Sequence, residues 1–276
     1  MNPKRIWMQS VVLVGAAVLF FSNLALAEDT PRHSWEFGPE LYSYTYKEYS
    51  IGVKNQGIMY GLKGSYTYHP DRFMLKLDTR GAFGRVDYSS SSTGSSDNID
   101  DYVIEGRLLA GYDFFRSEDA SVVYAAYAGL GYRYLNDGGG GTITTTGALG
   151  YDRESNYWYL PAGLQATTPL SEYWRLISTF EFDLLLRGKQ ESHLSTASPL
   201  YSDITNNQDT GYGLRGSFQF QKTGEKVDLS FEPFVRYWDI ENSEVSTIRY
   251  SGVAIGYGLE PENTTVEAGV ALSASF

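Results

Sequence analysis

The sequence predicts an all-β fold, a ten-stranded antiparallel up-and-down β-barrel that crosses a membrane. Three observations lead to this prediction. Apolar and polar residues alternate with a period of two through most of the chain after residue 35, as strands with two different faces do. Long and short connections follow one another in strict alternation, which is typical of barrels with short periplasmic turns and long extracellular loops. The chain also begins with an export signal.

That signal occupies residues 1–27. Lys4 and Arg5 precede an uncharged run, Val11–Phe21, and Ala25-Leu26-Ala27 supplies a small-residue cleavage site. This order is typical of a secretory signal peptide, so we expect cleavage before Glu28 and a mature barrel domain of residues 28–276. Without the two signal bases the mature chain keeps 20 Lys and Arg against 33 Asp and Glu, a net charge of −13.

Composition excludes several classes of protein. The mean hydropathy of −0.31 is too low for several membrane helices, each of which needs about 20 apolar residues. The absence of cysteine excludes disulfides and thiolate sites, and three histidines leave little for a histidine metal cluster. The acidic balance argues against nucleic acid. We therefore predict no cofactor, no metal and no nucleic-acid partner.

Ten segments carry the alternation. In the last, Val266, Val270 and Phe276 share one side, and Glu267 and Ser273 the other. A helix would mix these sets, because its period is 3.6 residues. The predicted strands are 35–46, 56–68, 72–87, 101–115, 120–135, 155–169, 173–188, 209–222, 226–239 and 263–276.

The connections between these segments assign the two ends of the barrel. The short ones are 69–71, 116–119, 170–172 and 223–225, and the long ones are around 47–55, 88–100, 136–154, 189–208 and 240–262. An even number of strands places both termini on the periplasmic side. Strands of 12–16 residues are long enough to cross a bilayer at a steep tilt. In lipid such a sheet must close so that every backbone group is paired.

The alternation also divides the charges. The strand faces predicted to point inward carry eight basic and seven acidic residues, so pairing makes their burial tolerable. We predict a plugged, charge-balanced lumen rather than a general diffusion porin, and a narrow conduit stays open as an alternative. The predicted network is Lys76, Asp78, Arg80, Glu105, Arg107, Glu181, Asp183, Arg187, Arg215, Glu232 and Arg236, with Lys63, Asp113, Arg175 and Glu267 on the same faces.

Aromatic residues cluster near the predicted strand ends, as in the girdles of membrane barrels. Together with the alternating segment Val266–Phe276, they make the chain resemble Gram-negative outer-membrane β-barrels, which characteristically end on Phe. The resemblance implies residence in the cell outer membrane, contact with its lipid and lipopolysaccharide, and recognition of Phe276 by the barrel-assembly machinery. The predicted girdle residues are Tyr44, Tyr46, Tyr102, Tyr132, Tyr134, Trp158 and Tyr237 at the loop ends, and Tyr66, Tyr68, Phe114, Phe115, Tyr173 and Trp174 at the turn ends.

Candidate chemistry lies in the long loops. Ser89–Asp100 and the glycine run Gly138–Gly141 are interpreted as flexible loop tips. The fourth long loop holds Glu191 and His193, a carboxylate beside an imidazole that could act as a general base. His33, before the first strand, and His69, in a turn, are interpreted as structural.

The strand count and loop rhythm are similar to those of omptins, the outer-membrane proteases. That resemblance implies His193 as the base that activates water, Glu191 in the position of the family's Asp, and Asp97, Asp100 or Asp101 as the opposing acids. The chain departs from the family pattern: Asp-x-His is here Glu-x-His, and the second loop lacks the Asp-x-Asp spacing.

Basic residues near the loop ends suggest contacts with lipopolysaccharide phosphates. The sequence therefore favours a non-enzymatic role in membrane structure, surface binding or narrow conduction, with an unidentified ligand. An omptin-like endopeptidase is the alternative. The basic residues are Lys47, Lys54, Arg85, Arg133, Arg153, Arg187 and Lys189.

Overall fold

A computed structural model describes residues 32–117 and 122–276 of the chain, and the predicted signal peptide, 1–27, lies outside them. Ten long antiparallel strands form a barrel, and three short strands and one helical turn lie in its connections. The elements are β1 (His33–Glu48), β2 (Val53–Tyr68), β3 (Phe73–Ser90), β4 (Gly94–Arg116), β5 (Val123–Gly138), β6 (Asp152–Pro169), β7 (Trp174–His193), α1 (Leu194–Ala197), β8 (Ile204–Gln208), β9 (Gly211–Lys222), β10 (Asp228–Ile240), β11 (Ser246–Tyr250), β12 (Val253–Gly258) and β13 (Asn263–Ser275).

Each long strand pairs with its neighbours in the chain, and the first strand pairs with the last. β1 lies between β2 and β13, β7 lies between β6 and β9, and the circle closes without an open edge. Near its C-terminus the chain is held by reciprocal backbone hydrogen bonds between Trp35 and Phe276, of 2.8 and 3.0 Å. The predicted ten-stranded antiparallel up-and-down barrel is confirmed.

The barrel is apolar outside and polar inside. Leu62, Phe83, Leu108 and Phe180 are exposed on the outer wall, whereas their neighbours in the chain turn charged and small side chains into the lumen. A soluble barrel has the opposite arrangement, because its apolar faces fill the core. In the described part of the chain, no helix is long and apolar enough to span a bilayer.

The strands reach further at the loop end than the sequence predicted. β3 continues to Ser90 and β4 begins at Gly94, so the predicted flexible loop 89–100 is a paired hairpin. Gly94, with φ of 79°, closes its turn, and Asn98, with φ of 60°, lies in a bulge opposite Asp87. Similarly, only residues 49–52 connect β1 and β2. The strict alternation of long and short connections was therefore wrong for the first two loops, because serine-rich and polar segments pair as strands there.

The other loops also contain more structure than predicted. The glycine run is bonded into a small loop, in which Gly140 N donates to Asp152 Oδ1 at 2.7 Å and Ile143 bridges to Leu149. β8 pairs with the loop-end part of β7 and extends the barrel wall there, and β11 and β12 form a hairpin in the last loop. The sequence analysis did not predict β8, β11 or β12, because strands of five or six residues without strong alternation give no clear period-two signal.

A bulge in β7 changes which side chains face inward. Tyr159 of β6 is opposite Leu185, but the preceding residue, Trp158, is opposite Arg187, so Leu186 is the extra residue. Beyond it the side-chain phase is inverted, since one inserted residue exchanges the two faces. Arg187 is consequently exposed on the outer wall, and its predicted place in the lumen was wrong.

Two predicted girdle residues also face inward. Tyr44 and Tyr46 share a phase with the buried Glu40 and Glu48, and Tyr44 is only 5% exposed. By contrast, Trp158 lies on the outer wall against Tyr132, with ring centroids 4.9 Å apart. Aromatic residues near strand ends therefore serve both surfaces of this barrel, and only the strand phase distinguishes them.

Glycines on the inner wall let large rings cross the lumen. A Cβ added to Gly131 would lie 2.2 Å from the ring of Tyr159, and one added to Gly213 would lie 3.0 Å from Trp238. The glycines thus make room for two aromatic side chains that are at most 1% exposed. The alternation of the sequence predicted that Gly131 and Gly213 lie on the inner wall, but it did not predict that aromatic rings pack against them.

We predict that Gly131→Ala destabilises the barrel by about 1–3 kcal/mol, because overpacking must displace the Tyr159 ring. The matched control is Gly106→Ala, since an added Cβ there meets no atom within 4 Å. Urea unfolding of refolded protein, followed by tryptophan fluorescence, measures both. Equal stability of the two variants would contradict the close approach at Gly131.

Candidate functional site

A network of ion pairs crosses the middle of the lumen, and we call it the septum. It joins five arginines to six carboxylates from eight of the ten barrel strands. Each member is linked to at least one other, so the charges form one connected layer. Its members are Arg80, Arg107, Arg133, Arg215 and Arg236, with Glu40, Asp78, Glu105, Glu181, Asp183 and Glu267.

Glu105 of β4 lies at one centre of the septum. Its carboxylate accepts hydrogen bonds from Arg80 Nε at 2.6 Å, from Arg215 Nη1 at 3.0 Å and from the hydroxyl of Tyr159 at 2.5 Å. Arg215 in turn donates through Nε to Asp183 Oδ2 at 2.6 Å. Glu105 is 3% exposed, and such burial is tolerable only because both carboxylate oxygens are paired.

Glu267 of β13 lies at the second centre. It receives hydrogen bonds from Arg133 Nη2 at 2.9 Å and from Arg236 Nη1 at 3.1 Å, and Arg80 Nη1 lies 3.0 Å from it. Arg236 also donates to Glu40 at 2.8 Å. Three arginines from three strands thus meet on one carboxylate that is 1% exposed.

Aromatic rings pack directly against the septum. The rings of Tyr159 and Trp238 meet edge to face with centroids 5.1 Å apart. The guanidinium carbons of Arg133 and Arg215 lie 5.5 and 5.9 Å from the Trp238 ring, within the range of a cation–π contact. With Tyr157, Leu185 and Ile240 these rings form a buried apolar cluster. Charge pairs and rings together occupy the lumen at this level.

The septum leaves open space on both of its sides. Toward the turn end lies a cavity of about 530 Å³, which we call the vestibule; besides septum residues, its lining includes the predicted network residues Lys76 and Glu232. Glu232 pairs there with Lys63, which also contacts Glu36 at 3.0 Å. Toward the loop end only about 40 Å³ remains.

That smaller space, which we call the mouth chamber, is organised by Arg153. Its guanidinium donates to Glu48 at 3.0 Å and to Asp137 at 2.7 Å, and lies 3.6 Å from Glu260. Arg153 and, within the septum, Arg133 are thus buried in the lumen, so their predicted place at the lipid interface was wrong. Arg133 and Arg153 each lie on the face of their strand that points into the lumen.

The last loop is fastened to the mouth chamber by Glu260. Tyr46 donates to its carboxyl at 3.0 Å, and its backbone exchanges hydrogen bonds with Ser243 at 2.7 and 2.9 Å. Burial raises the pKa of Glu260 to about 7, with the nearby charge of Glu48 adding to the effect and that of Arg153 opposing it. The carboxyl therefore changes its charge near neutral pH.

The residues suggested by the omptin resemblance lie on different surfaces. Asp101 is buried and lines the mouth chamber, while Asp100 points outward and pairs with Arg85 at 2.9 Å. Asp97 is exposed beside the bulge at Asn98. Glu191 points outward and contacts Lys189 at 2.7 Å.

His193 is also on the outer surface, as the last residue of β7. Its Nδ1 lies 3.1 Å from Asp203 and its Nε2 lies 3.4 Å from Glu154. Desolvation lowers the pKa of His193, but the hydrogen bonds and charges of Asp203 and Glu154 together outweigh it, so the pKa is raised above its usual value. Ser195 donates its backbone N–H to Asp203 at 2.9 Å, so Asp203 contacts both the imidazole and the beginning of α1.

Sequence reasoning missed several residues that define these sites. Glu40, Tyr159 and Trp238 of the septum region are buried in the lumen, and the sequence analysis did not assign them to it. Asp203 and Glu260 lie in the loops, where the period-two signal ends. Among the described side chains, no three His, Cys, Asp or Glu are arranged to hold a metal ion.

Comparison with known proteins identifies the fold. No family model and no curated protein matches the sequence. Among solved structures, the outer membrane protease OmpT from Escherichia coli has a TM-score of 0.63 at 10% identity, covering 92% of this chain and 100% of its own. The chain has the fold of an outer-membrane β-barrel.

Two further structures match with lower scores. The translocator domain of the autotransporter NalP from Neisseria meningitidis has a TM-score of 0.41 at 11% identity, covering 97% of this chain and 95% of its own. The outer membrane protein OprG from Pseudomonas aeruginosa has a TM-score of 0.39 at 12% identity, with coverages of 88% and 95%. At 10% identity the similarity to OmpT is one of fold alone.

We predict that Glu267→Gln destabilises the barrel by about 3–5 kcal/mol, because three buried arginines lose their shared counter-charge. Asp100→Asn is the matched control, since its pair with Arg85 is exposed and contributes at most about 1 kcal/mol. Urea unfolding midpoints of the two variants test this, and equal shifts would contradict the central role of Glu267.

We predict that the last loop, residues 241–262, loosens as the pH rises. A raised pKa means that Glu260 stabilises the closed loop fully below its unfolded value of about 4.5. This contribution falls by at most about 1.4 kcal/mol for each pH unit between about 4.5 and about 7, and it levels off above about 7, where the carboxyl is ionised in both states. Hydrogen exchange of the loop between pH 5 and 8, corrected for intrinsic rates, measures the change. Glu260→Gln should abolish this pH dependence, and an unchanged slope would contradict the assignment.

Proposed function

We propose that this chain is an integral protein of the Gram-negative outer membrane with a closed lumen, and that it acts as a non-enzymatic binding protein at its extracellular loop end. The observation that carries the proposal is the septum, which fills the barrel interior with paired charges from eight strands. The apolar outer wall supports the location, because it would face lipid.

The septum argues against conduction. Its acids and arginines already satisfy one another, so an ion entering the lumen would have to break several charge-assisted hydrogen bonds. Trp238 and Tyr159 fill the space beside it. A barrel of ten strands is in any case far narrower than the porins of 16–18 strands that leave an aqueous channel.

The site geometry argues against the omptin-like alternative. Hydrolysis by that arrangement needs an imidazole and an opposing acid pair on one cleft. Here His193 contacts Asp203 and Glu154 on the outside, while Asp101 lies in the lumen. The extracellular structure instead consists of extended strands and an anchored hairpin, which present a fixed surface to a partner.

The same proposal includes the partners expected of this location. Lipid and lipopolysaccharide would surround the wall, and the exposed Lys189 and Arg187 stand near its loop end. The barrel-assembly machinery would recognise the C-terminal strand. Phe276 supports this, because its ring is 60% exposed on the outer wall near Phe37.

We predict that the refolded protein gives no steady conductance in planar bilayers, because the septum leaves no continuous path. The double variant Tyr159→Ala with Trp238→Ala should conduct more, since it removes the rings that pack against the septum. Heat-modifiable gel mobility checks that both proteins are folded. Steady, ion-selective currents through the unmodified protein would overturn the closed-lumen proposal.

A further inference from the structure

The hairpin of β11 and β12 stands in the last loop, at the end of the barrel proposed to be extracellular. Its turn is formed by Ser251, with φ of 48°, and Gly252, with φ of 79°. Two successive positive φ angles are what a tight two-residue hairpin turn requires. This segment of the last loop is therefore a regular β-hairpin with a tight turn.

One side of the hairpin is fastened to β8. Ser202 N donates to the carbonyl of Arg249 at 3.1 Å, and Asn206 donates to the carbonyls of Glu244 at 2.7 Å and Gly258 at 3.3 Å. A Cβ added to Gly258 would lie 3.2 Å from the side chains of both Ile204 and Ile248. β8 itself pairs with β7, so the hairpin is held on an extension of the barrel wall.

The other side of the hairpin has no partner strand. β12 pairs only with β11 within residues 32–117 and 122–276. Its alternate residues Val253, Ile255 and Tyr257 are 66%, 56% and 78% exposed. An apolar strand with an unpaired edge is a template for another strand.

β12 also lacks the features that normally protect a strand edge. Natural edge strands carry lysine, proline or inward charges that prevent pairing with other chains. No charged residue and no proline occurs between Ser251 and Leu259. The hairpin instead combines an open backbone edge with an apolar face, the two features that an added strand would use.

Charge complementarity identifies the kind of partner. Exposed acids, Glu241 and Glu244, lie next to the base of the hairpin, and Asp203 lies beside its attachment to β8. Arg249 is the single base of the hairpin. A second copy of this chain would bring the same acids and a net charge of −13, so it is disfavoured by repulsion.

We propose that β12 binds an extended segment of a partner protein by strand addition. The segment would carry apolar residues at alternate positions and basic residues at its ends. Backbone hydrogen bonds to the free edge would hold it, and Val253, Ile255 and Tyr257 would contact its apolar side chains. This inference rests on the proposed function, because it names the partner of the extracellular surface.

The test uses the refolded full-length mature protein and a fluorescent peptide, Lys-Lys-Val-Thr-Val-Thr-Val-Thr-Lys-Lys. We expect saturable binding by fluorescence anisotropy, and slower hydrogen exchange in residues 253–258 when the peptide is bound. A peptide with proline at its two central positions should bind about tenfold more weakly or less, because it cannot complete a ladder. A peptide with glutamate in place of lysine should also lose about tenfold at low salt.

Variants of the protein locate the site. Ile255→Lys with Tyr257→Lys should weaken binding at least about tenfold, since both positions are exposed and lysine protects an edge. The matched control, Ile143→Lys with Leu149→Lys, changes two equally exposed apolar residues of a neighbouring loop and should bind within about twofold of the unmodified protein.

Three outcomes would overturn this proposal. They are unchanged binding in the β12 variant, equal binding of the proline peptide, and sedimentation or vesicle binding showing that β12 is covered by a second copy or by lipid instead. The conductance experiment keeps the two proposals apart. If the protein conducts ions and binds the peptide, only the closed-lumen proposal is contradicted. If it does not conduct ions and does not bind the peptide, only the proposed strand-addition site is contradicted.

Discussion

The burial of paired charge inside a closed wall is the constraint on which this structure depends. Glu105 and Glu267 are almost completely buried, and each is satisfied by arginines from two or three other strands. Removing either partner would leave a charge without water, which is far more costly than a broken surface pair. The septum therefore makes the relative position of distant strands a condition of stability. The same bonds that hold the strands also carry the proposal of a closed lumen.

The closed middle separates the barrel into two ends with different chemistry. The vestibule at the turn end is wide, lined by both signs of charge and about 530 Å³ in volume. At the loop end, Arg153 and Glu260 fasten the last loop over a chamber of about 40 Å³. Above it, β8 and the β11–β12 hairpin continue the wall as an exposed sheet. This arrangement supports the proposal that the loop-end surface, rather than the interior, binds a partner.

The sequence predicted the barrel well because alternation is a local signal that every strand repeats. It also predicted the inward face correctly for nine of the eleven septum residues, among them Arg80 and Glu105, where the phase stayed regular. It failed at Arg187, because one extra residue in β7 inverts the phase and leaves no mark in composition. It failed again at Ser89–Asp100, where a serine-rich segment pairs as a strand although its residue types are those of a loop. The contacts of His193 with Asp203 depend on a loop that no periodicity describes.

The most direct test of the closed lumen is the accessibility of single cysteines, for which a chain without cysteine is well suited. Ser217→Cys would lie in the vestibule, and Ser91→Cys would lie in the turn between β3 and β4 at the loop end. Intact cells that lack general porins are treated with a small, charged maleimide that does not cross lipid, and labelling is compared with that in lysed cells. Closure by the septum predicts labelling of Ser91→Cys in intact cells, and of Ser217→Cys only after lysis. Labelling of Ser217→Cys from outside would contradict it.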